Sequence, residues 1–325
     1  MENPEVDKTR KLVICCSRGI NSKEIAKKLE EEGLDAVSLE KGYIAWLMDA
    51  MKSSQDEDFA KNVEISLRKK FKKKIWSRFT KAINTYELVK PGDRIAVCIS
   101  GGKDSLTLLY ALAGLRRFYP KEFTLTAITV DLGYDSFDLT PIKQLCEELK
   151  VPYHIVKTEI ARILFHGDRM SDKAVKGSPC ALCAKMRKGA LNEAALELGC
   201  NKVAYAHHMD DVIETAFLSM IFEGRFYAFP PSTHLDRTQL VVIRPLLYVS
   251  EAEVKGFRNK MKLPVVANPC PADGHTQRAY VKNLIRQINL DHPGAKKQLF
   301  HAVLHGNIPG WQTDAAEEKE NSIRL

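Results

Sequence analysis

The run Ser100-Gly101-Gly102-Lys103-Asp104-Ser105 sets two adjacent glycines, a lysine, a carboxylate and two hydroxyls between an apolar stretch at 95–99 and an amphipathic one from Leu106. Adjacent glycines let backbone N–H groups curl around an anion with no Cβ in the way. A helix that starts there turns its positive end toward the same spot. Lys103 adds a point charge, Asp104 is suited to a Mg²⁺ that neutralises phosphates, and the two serines donate hydrogen bonds. The run is not a Walker A loop, which needs a further glycine where Val97 stands, nor a dinucleotide fingerprint, whose glycines are spaced. It predicts a nucleotide site at a strand-to-helix junction.

A second polar run, His207-His208-Met209-Asp210-Asp211 with Glu214 and Thr215, follows the apolar stretch 202–205. A helix N-cap with acidic first-turn residues reads the same way. Coupled to the loop, the run places His207 at the nucleotide and makes Asp211 a magnesium-binding or proton-handling carboxylate. Cys180 and Cys183 form a Cys-x-x-Cys pair at a helix start, and Cys270 stands between Pro269 and Pro271. Three thiolates suit a soft metal or an iron–sulfur cluster. Zinc, with His275 or His207 as fourth ligand, is the rival, and a dithiol redox pair is another. The charged residues 1–11 carry no apolar export core, so the eight cysteines read as thiols of a reducing compartment, with the cytoplasm as expected location.

These residues need rigid elements to position them. Strands are expected at 95–99, 125–130, 153–156, 202–205 and 240–243, and helices at 106–118, 141–149, 184–198, 212–222 and 251–261. This alternation predicts an α/β fold, a doubly wound parallel five-stranded sheet with ligands beyond the carboxyl ends of its strands. Before it, residues 1–50 form a small α/β segment, with strands at 12–14 and 36–39 around a helix at 23–32. Residues 52–58 read as a linker and 59–88 as one long basic helix. Along that helix Leu67, Phe71, Ile75, Phe79 and Ile83 recur every four residues, among Arg68, Lys69, Lys70, Lys72, Lys73, Lys74, Arg78 and Lys81. The division is therefore 1–50, 51–90 and 91–325. A formal charge of +8, with the basic face and Trp76 and Tyr86 nearby, fits an RNA footprint, although a solvated amphipathic helix shares the pattern. No apolar run approaches the roughly 20 residues of a membrane span.

The Ser100–Ser105 loop resembles the PP-loop of the adenine nucleotide α-hydrolase-like superfamily, whose members cleave ATP between the α and β phosphates and pass AMP to a carbonyl oxygen. From about residue 70 to 311 the chain is similar to the tRNA 2-thiocytidine synthetases. The matching stretches are Pro91-Gly92-Asp93-Arg94-Ile95, Cys180-Ala181-Leu182-Cys183 with Arg187, His207-His208 with Asp210-Asp211, Ile243-Arg244-Pro245-Leu246, Asn268-Pro269-Cys270 and Gln277-Arg278. The resemblance implies ATP with Mg²⁺, and a [4Fe–4S] cluster held by Cys180, Cys183 and Cys270, with one iron open to sulfide. It implies adenylation of the C2 oxygen of a cytidine, position 32 of the anticodon loop, with tRNA met by Lys69, Lys70, Lys72, Lys73, Lys74 and Arg78. Arg187 would polarise the base carbonyl or steady the leaving AMP; a solvated helix arginine beside Lys185 and Lys188 is the alternative. Residues 131–135 and 165–177 depart from the family pattern.

Cys16-Ser17-Arg18-Gly19-Ile20-Asn21-Ser22 resembles the active loop of rhodaneses, and the likeness continues to Gly33, Leu39, Gly42 and Trp46. Only the second half of such a domain is present, and Asn21 replaces the usual arginine. The resemblance makes Cys16 a sulfur acceptor that carries a persulfide, and the chain's sulfur donor is sulfide or a persulfide from a cysteine desulfurase; a remnant kept for packing is the other reading of Cys16. A homodimer is allowed, and no membrane partner is expected. Rival functions are a 2-thiouridine synthase, a tRNA lysidine ligase, which needs no cluster, and a non-catalytic sulfur carrier or RNA-binding module.

Overall fold

The computed structural model describes residues 11–16, 20–43, 59–134, 138–165, 179–266, 270 and 277–312. The chain forms two compact units, Met1–Phe59 and Ala60–Leu325. In the first, β1 (Leu12–Ile14) and β2 (Ala36–Ser38) pair in parallel, with Leu12 opposite Ala36 and Ile14 opposite Ser38. The connecting helix α1 (Ile20–Glu31) buries Ser22 and Ala26, and Ala36 is buried with them among the unit's described residues.

The second unit opens in α2 (Phe59–Arg68), which does not run on to residue 88. A π-helical turn, Lys72–Trp76, follows it and leads into α3 (Ser77–Thr85). The Phe71 carbonyl accepts from Ile75 N–H at 2.7 Å and from Trp76 N–H, five residues on, at 3.3 Å. The sequence holds the reason. A four-residue apolar repeat overshoots the α-helical turn of about 3.6 residues, so the stripe drifts by roughly 40° per step. One wider π turn takes up that drift. Leu67, Ile75, Phe79 and Ile83 are all fully buried as a result, and Phe71 meets the Phe257 ring edge-on at 5.1 Å.

The main sheet comprises β3 (Asp93–Cys98), β4 (Phe123–Asp131), β5 (Tyr153–Lys157), β6 (Lys202–Ala204), β7 (Ser232–Leu235) and β8 (Leu240–Ile243). Its order is β5-β4-β3-β6-β8-β7, parallel except for β7, which pairs antiparallel with β8. The sheet is thus six-stranded and mixed rather than five-stranded and parallel. Strand β7 is a polar edge strand, Ser-Thr-His-Leu, held by its hairpin to β8 and by Arg244 Nη1 donating to Thr233 Oγ1 at 2.9 Å. Nothing in its hydropathy marks it. Around the sheet lie α4 (Lys103–Arg116), α5 (Thr140–Glu148), α6 (Ile160–Phe165), α7 (Pro179–Glu197), α8 (Met209–Glu223), α9 (Glu251–Met261), α10 (Gln277–Asp291) and α11 (Ala295–His305). Helix α4 is buried on every side from Ser105 to Leu115, as a helix apolar all round must be. Leu191, Ala194 and Ala195 of α7 pack on Ala96, Ile128 and Val203 of the central strands.

At the amino edge of the sheet, Asp93 and Lys202 form a buried ion pair at 2.7 Å. Asp93 also accepts from Asn201 Nδ2 at 2.9 Å and from Lys90 N–H at 2.6 Å, while Lys202 donates to the Leu88 carbonyl at 2.9 Å. The strand order reverses between β3 and β6, which opens a crevice past their carboxyl ends. Among the described residues no helix is long and apolar enough to cross a membrane.

Candidate active site

The loop after β3 is shaped by its own side chains. Ser100 N–H donates to Ser105 Oγ at 3.2 Å, and Ser105 Oγ donates to the Gly102 carbonyl at 2.9 Å. Gly101 takes φ +78°, and a Cβ there would stand 3.1 Å from Val266 Cβ. Val266 N–H in turn donates to the Gly101 carbonyl at 3.0 Å, fastening a distant segment over the loop. Gly102 is the N-cap of α4 with no side-chain cap, so the first N–H groups of that helix are left for a ligand.

Beyond β6 the second polar run caps α8. His208 Nδ1 accepts from Asp211 N–H at 3.3 Å, and Asp211 Oδ2 accepts from His208 N–H at 2.9 Å. The capping reading therefore holds, and it leaves Asp211 Oδ1 outside the cap, 3.5 Å from Arg278 Nη1. His207 lies between the rings of Tyr205 (5.6 Å) and Phe229 (4.8 Å), and its Nδ1 is buried without a hydrogen-bond partner. Burial pushes its pKa down to about 4 against the pull of Asp211, so the ring is a neutral imidazole. Asp104 Oδ1 is likewise buried and unpartnered, with His208 Nε2 at 3.7 Å.

Lys103 does not stand alone. Its Nζ is 2.8 Å from Asp104 Oδ2 and 3.2 Å from Glu251 Oε1, and the same Glu251 oxygen meets Lys282 at 2.9 Å and Lys255 at 3.2 Å. Burial alone would raise the Glu251 pKa, but Lys282, Lys103 and Lys255 hold it at about 2. Three ammonium groups on one carboxylate leave a net positive charge beside the loop. Asp210, by contrast, is fully occupied by Glu251 N–H and Lys296 at 2.7 Å each, and holds α9 and α11 to α8.

A cavity of about 320 Å³ joins these parts. Ser100, Asp104, Ser105, His207 and Asp211 line it, together with Arg187 of α7. Arg187 is half-buried rather than a solvated helix residue. It sits one helical turn after Cys183, close enough to draw that thiol's pKa down while burial, Cys270 and Cys180 push it up. Cys270 and Cys183 also act on Tyr134, whose pKa burial and the Cys270 thiol raise to about 12. The three cysteines thus share one neighbourhood that borders the cavity.

Among the described residues, no three His, Cys, Asp or Glu side chains converge on a point suited to one metal ion. A zinc site would need all its sulfurs about 2.3 Å from one centre. A cluster spreads its thiolates over separate irons, and three thiols in one neighbourhood are a donor set that suits it. His207 lines the cavity beside the Ser100–Ser105 loop, and His275 lies outside the described residues.

Lys69, Lys70, Lys72, Lys73 and Lys74 are exposed. Arg78 is not part of that free face, because its Nη1 pairs with Glu253 Oε2 at 2.5 Å. In the first unit, Cys16 Sγ accepts from Ser22 N–H at 3.4 Å and lies 3.3 Å from Ser22 Oγ; Arg18 lies outside the described residues. Glu251, Lys255, Lys282 and Lys296 are absent from the sequence-based site. The one available signal was Lys282, four residues after Arg278 and on the same face of its helix.

A family model described as a PP-loop domain matches residues 67–289. A tRNA-cytidine(32) 2-sulfurtransferase of Geobacter sulfurreducens is 38% identical over 239 residues, 73% of this chain and 90% of the relative. One from Citrifermentans bemidjiense is 40% identical, over 71% of this chain and 89% of the relative. The solved U34-tRNA thiolase NcsA from Methanococcus maripaludis, with its [4Fe-4S] cluster, is 26% identical with a TM-score of 0.54, covering 70% of this chain and 76% of that one. With a phosphate loop at a topological switch point and these likenesses running over most of its length, the chain belongs to the PP-loop family and, within it, to the tRNA-cytidine(32) 2-sulfurtransferases.

Proposed function

We propose that the chain is an ATP-dependent tRNA thiolase that adenylates the C2 oxygen of cytidine 32 and replaces that oxygen with sulfur. The observation that carries this reading is that Asp104, Asp211, His207 and Arg187, the last one turn from Cys183, line the same cavity. ATP lies with its β and γ phosphates on the N–H groups of Gly102 and Lys103 and on the Lys103 ammonium. Lys282 and Lys255, which share a carboxylate with Lys103, add to that charge. The unpartnered Asp104 Oδ1, with Asp211, is the carboxylate pair for Mg²⁺.

Neutral His207 holds the adenine or the reacting base without adding charge. Arg187 reaches the C2 carbonyl or the adenylated oxygen from the cluster side. The base oxygen attacks the α phosphorus and pyrophosphate leaves; a sulfide equivalent then displaces AMP from C2. When bound, the cluster on Cys180, Cys183 and Cys270 supplies a poised sulfur nucleophile and Mg²⁺ neutralises phosphate charge.

Residues 91–325 form the catalytic domain, 51–90 the linker and basic segment, and 1–50 the rhodanese-like segment. The five exposed lysines meet tRNA. Cys16 takes sulfur from a persulfide donor, with the Ser22 N–H and hydroxyl stabilising the thiolate. Such chemistry belongs in the cytoplasm.

The test is anaerobic purification of the full chain, iron and zinc analysis with a visible spectrum, and nucleoside analysis of tRNA after incubation with ATP, Mg²⁺ and sulfide. The expected result is an iron-bearing brown protein, AMP release and 2-thiocytidine. A colourless zinc protein that leaves tRNA without any thiolated base overturns the proposal, and 2-thiouridine in place of 2-thiocytidine overturns the choice of base.

A further inference from the structure

The π-helical turn does more than realign an apolar stripe. It brings Lys72 and Trp76 against Ile65, Arg68 and Lys69 of the preceding segment, and the five side chains line a second cavity of about 260 Å³. Its materials are a tryptophan ring, an apolar side chain 39% exposed at Ile65, and three cations. The arginine is fixed in place. Its guanidinium lies 3.7 Å from the centre of the Phe118 ring and 5.9 Å from that of Trp76, while Glu64 holds it at 3.7 Å. Glu64 is itself buried and clamped from the other side by Arg117 at 3.2 Å. Gly114 makes this possible, since a Cβ there would stand 3.0 Å from Glu64 Cγ and 3.6 Å from Trp76 Cζ3.

A planar cation and an indole held side by side, beside two exposed lysines, present flat π surface and positive charge together. Purely electrostatic contact with a phosphate backbone requires only the lysines. Stacking of an unpaired base requires the flat surfaces too. The location separates this pocket from the reacting centre. Gly114 is eleven residues beyond Lys103 on α4, from 103 to 114, which is about 16 Å along the helix axis. A nucleotide lodged here cannot be the one whose carbonyl faces Asp211 and Arg187.

We infer that the pocket of Ile65, Arg68, Lys69, Lys72 and Trp76 is a remote RNA site, which takes one unstacked nucleobase of the substrate tRNA and fixes the distance between that base and the modified one. Lys69 and Lys72 meet the flanking phosphates, and Trp76 and Arg68 meet the base. The inference rests on the reading of the chain as a tRNA-modifying enzyme and adds a second point of contact to it. Specificity then comes from spacing: an RNA that lacks an unpaired base at that distance loses the remote contact but still reacts.

The test compares wild type, Trp76→Ala, Trp76→Phe and Lys69→Ala/Lys72→Ala of the full, cluster-loaded chain, each with full-length tRNA and with an anticodon stem-loop. Trp76→Ala is expected to raise KM for full-length tRNA on the order of tenfold, the loss of about one stacked base. Its KM for ATP and its kcat at saturating tRNA stay within twofold of wild type. Trp76→Phe keeps a ring and recovers most of the affinity. Chemical probing of the tRNA should show one unpaired base protected by wild type and by Trp76→Phe, and exposed with Trp76→Ala. Full affinity and an unchanged protection pattern in Trp76→Ala overturn the inference. So does a loss confined to the lysine variant, which makes the face merely electrostatic. An inactive wild type would overturn the function itself, a result distinct from either.

Discussion

Strand β3 carries charged chemistry at both ends, and the two ends are built on opposite principles. At its first residue, Asp93 is buried with both carboxylate oxygens engaged, by Lys202, Asn201 and a backbone N–H. Just past its last residue, the loop and its neighbours hold Asp104 with one buried oxygen unpartnered and His207 with one buried nitrogen unpartnered. Buried polar atoms are costly to leave unmatched, by about 1–3 kcal/mol each. The amino end therefore satisfies its charges within the chain. The carboxyl end keeps unmet bonding capacity that ATP, metal and base are suited to meet. Both ends carry an aspartate close to glycine in sequence, Asp93 directly after Gly92 and Asp104 two residues after Gly102, and only partnership tells them apart.

The largest effect should come from breaking the closed end. Asp93→Ala or Lys202→Ala leaves its partner as an uncompensated buried charge, which costs about 3–5 kcal/mol. Denaturant unfolding should show that loss, while kcat per folded molecule stays near wild type. A cost under about 1 kcal/mol would erase the distinction between the two ends. At the open end the pattern inverts. Lys103→Ala or Asp104→Asn should lower kcat for thiolation on the order of 10²–10³-fold. The unfolding free energy should hold or rise, because strained site residues are commonly a burden on stability. Parallel loss of stability and activity in these variants would mean that the loop charges hold the fold as Asp93 does.

Lys282→Ala refines the open end. Lys282 shares Glu251 with Lys103, so its loss should raise KM for ATP about tenfold and leave KM for tRNA unchanged. An effect on tRNA alone would move Lys282 from the phosphates to the RNA face.

How much of this could be read in the sequence follows from the range of the contacts. The phosphate loop was legible because its six residues are contiguous and its hydrogen bonds stay within them, from Ser100 to Ser105. The parallel core was legible because β3, β4 and β6 carry short stretches of apolar and β-branched residues that alternate with helical stretches. The Glu251 hub was not, since Lys103 and Lys282 come to it from 148 and 31 residues away along the chain. The π turn was half legible: the four-residue repeat was plain, and its mismatch with the α-helical turn was the clue that the helix breaks. Strand β7 gave no clue, because an edge strand held by backbone pairing needs no apolar alternation.

The smallest effect is a dependence on pH that separates two residues of the open end. His207 has a folded-state pKa of about 4, lowered by burial, against about 6.5 for an unperturbed histidine. Between those values the unfolded chain takes a proton on His207 that the folded chain refuses. Stability must therefore fall as pH drops from about 6.5 toward 4. Glu251 acts lower down. Its folded-state pKa of about 2 lies below the unfolded value of about 4.3, so its contribution is complete above the latter and lost as pH falls through the former. Wild type should show two successive losses on acidification, and His207→Gln should abolish the upper one while keeping the lower. If the upper loss survives in His207→Gln, the imidazole is already charged in the fold, and the open end then offers a cation where a neutral ring has been assigned.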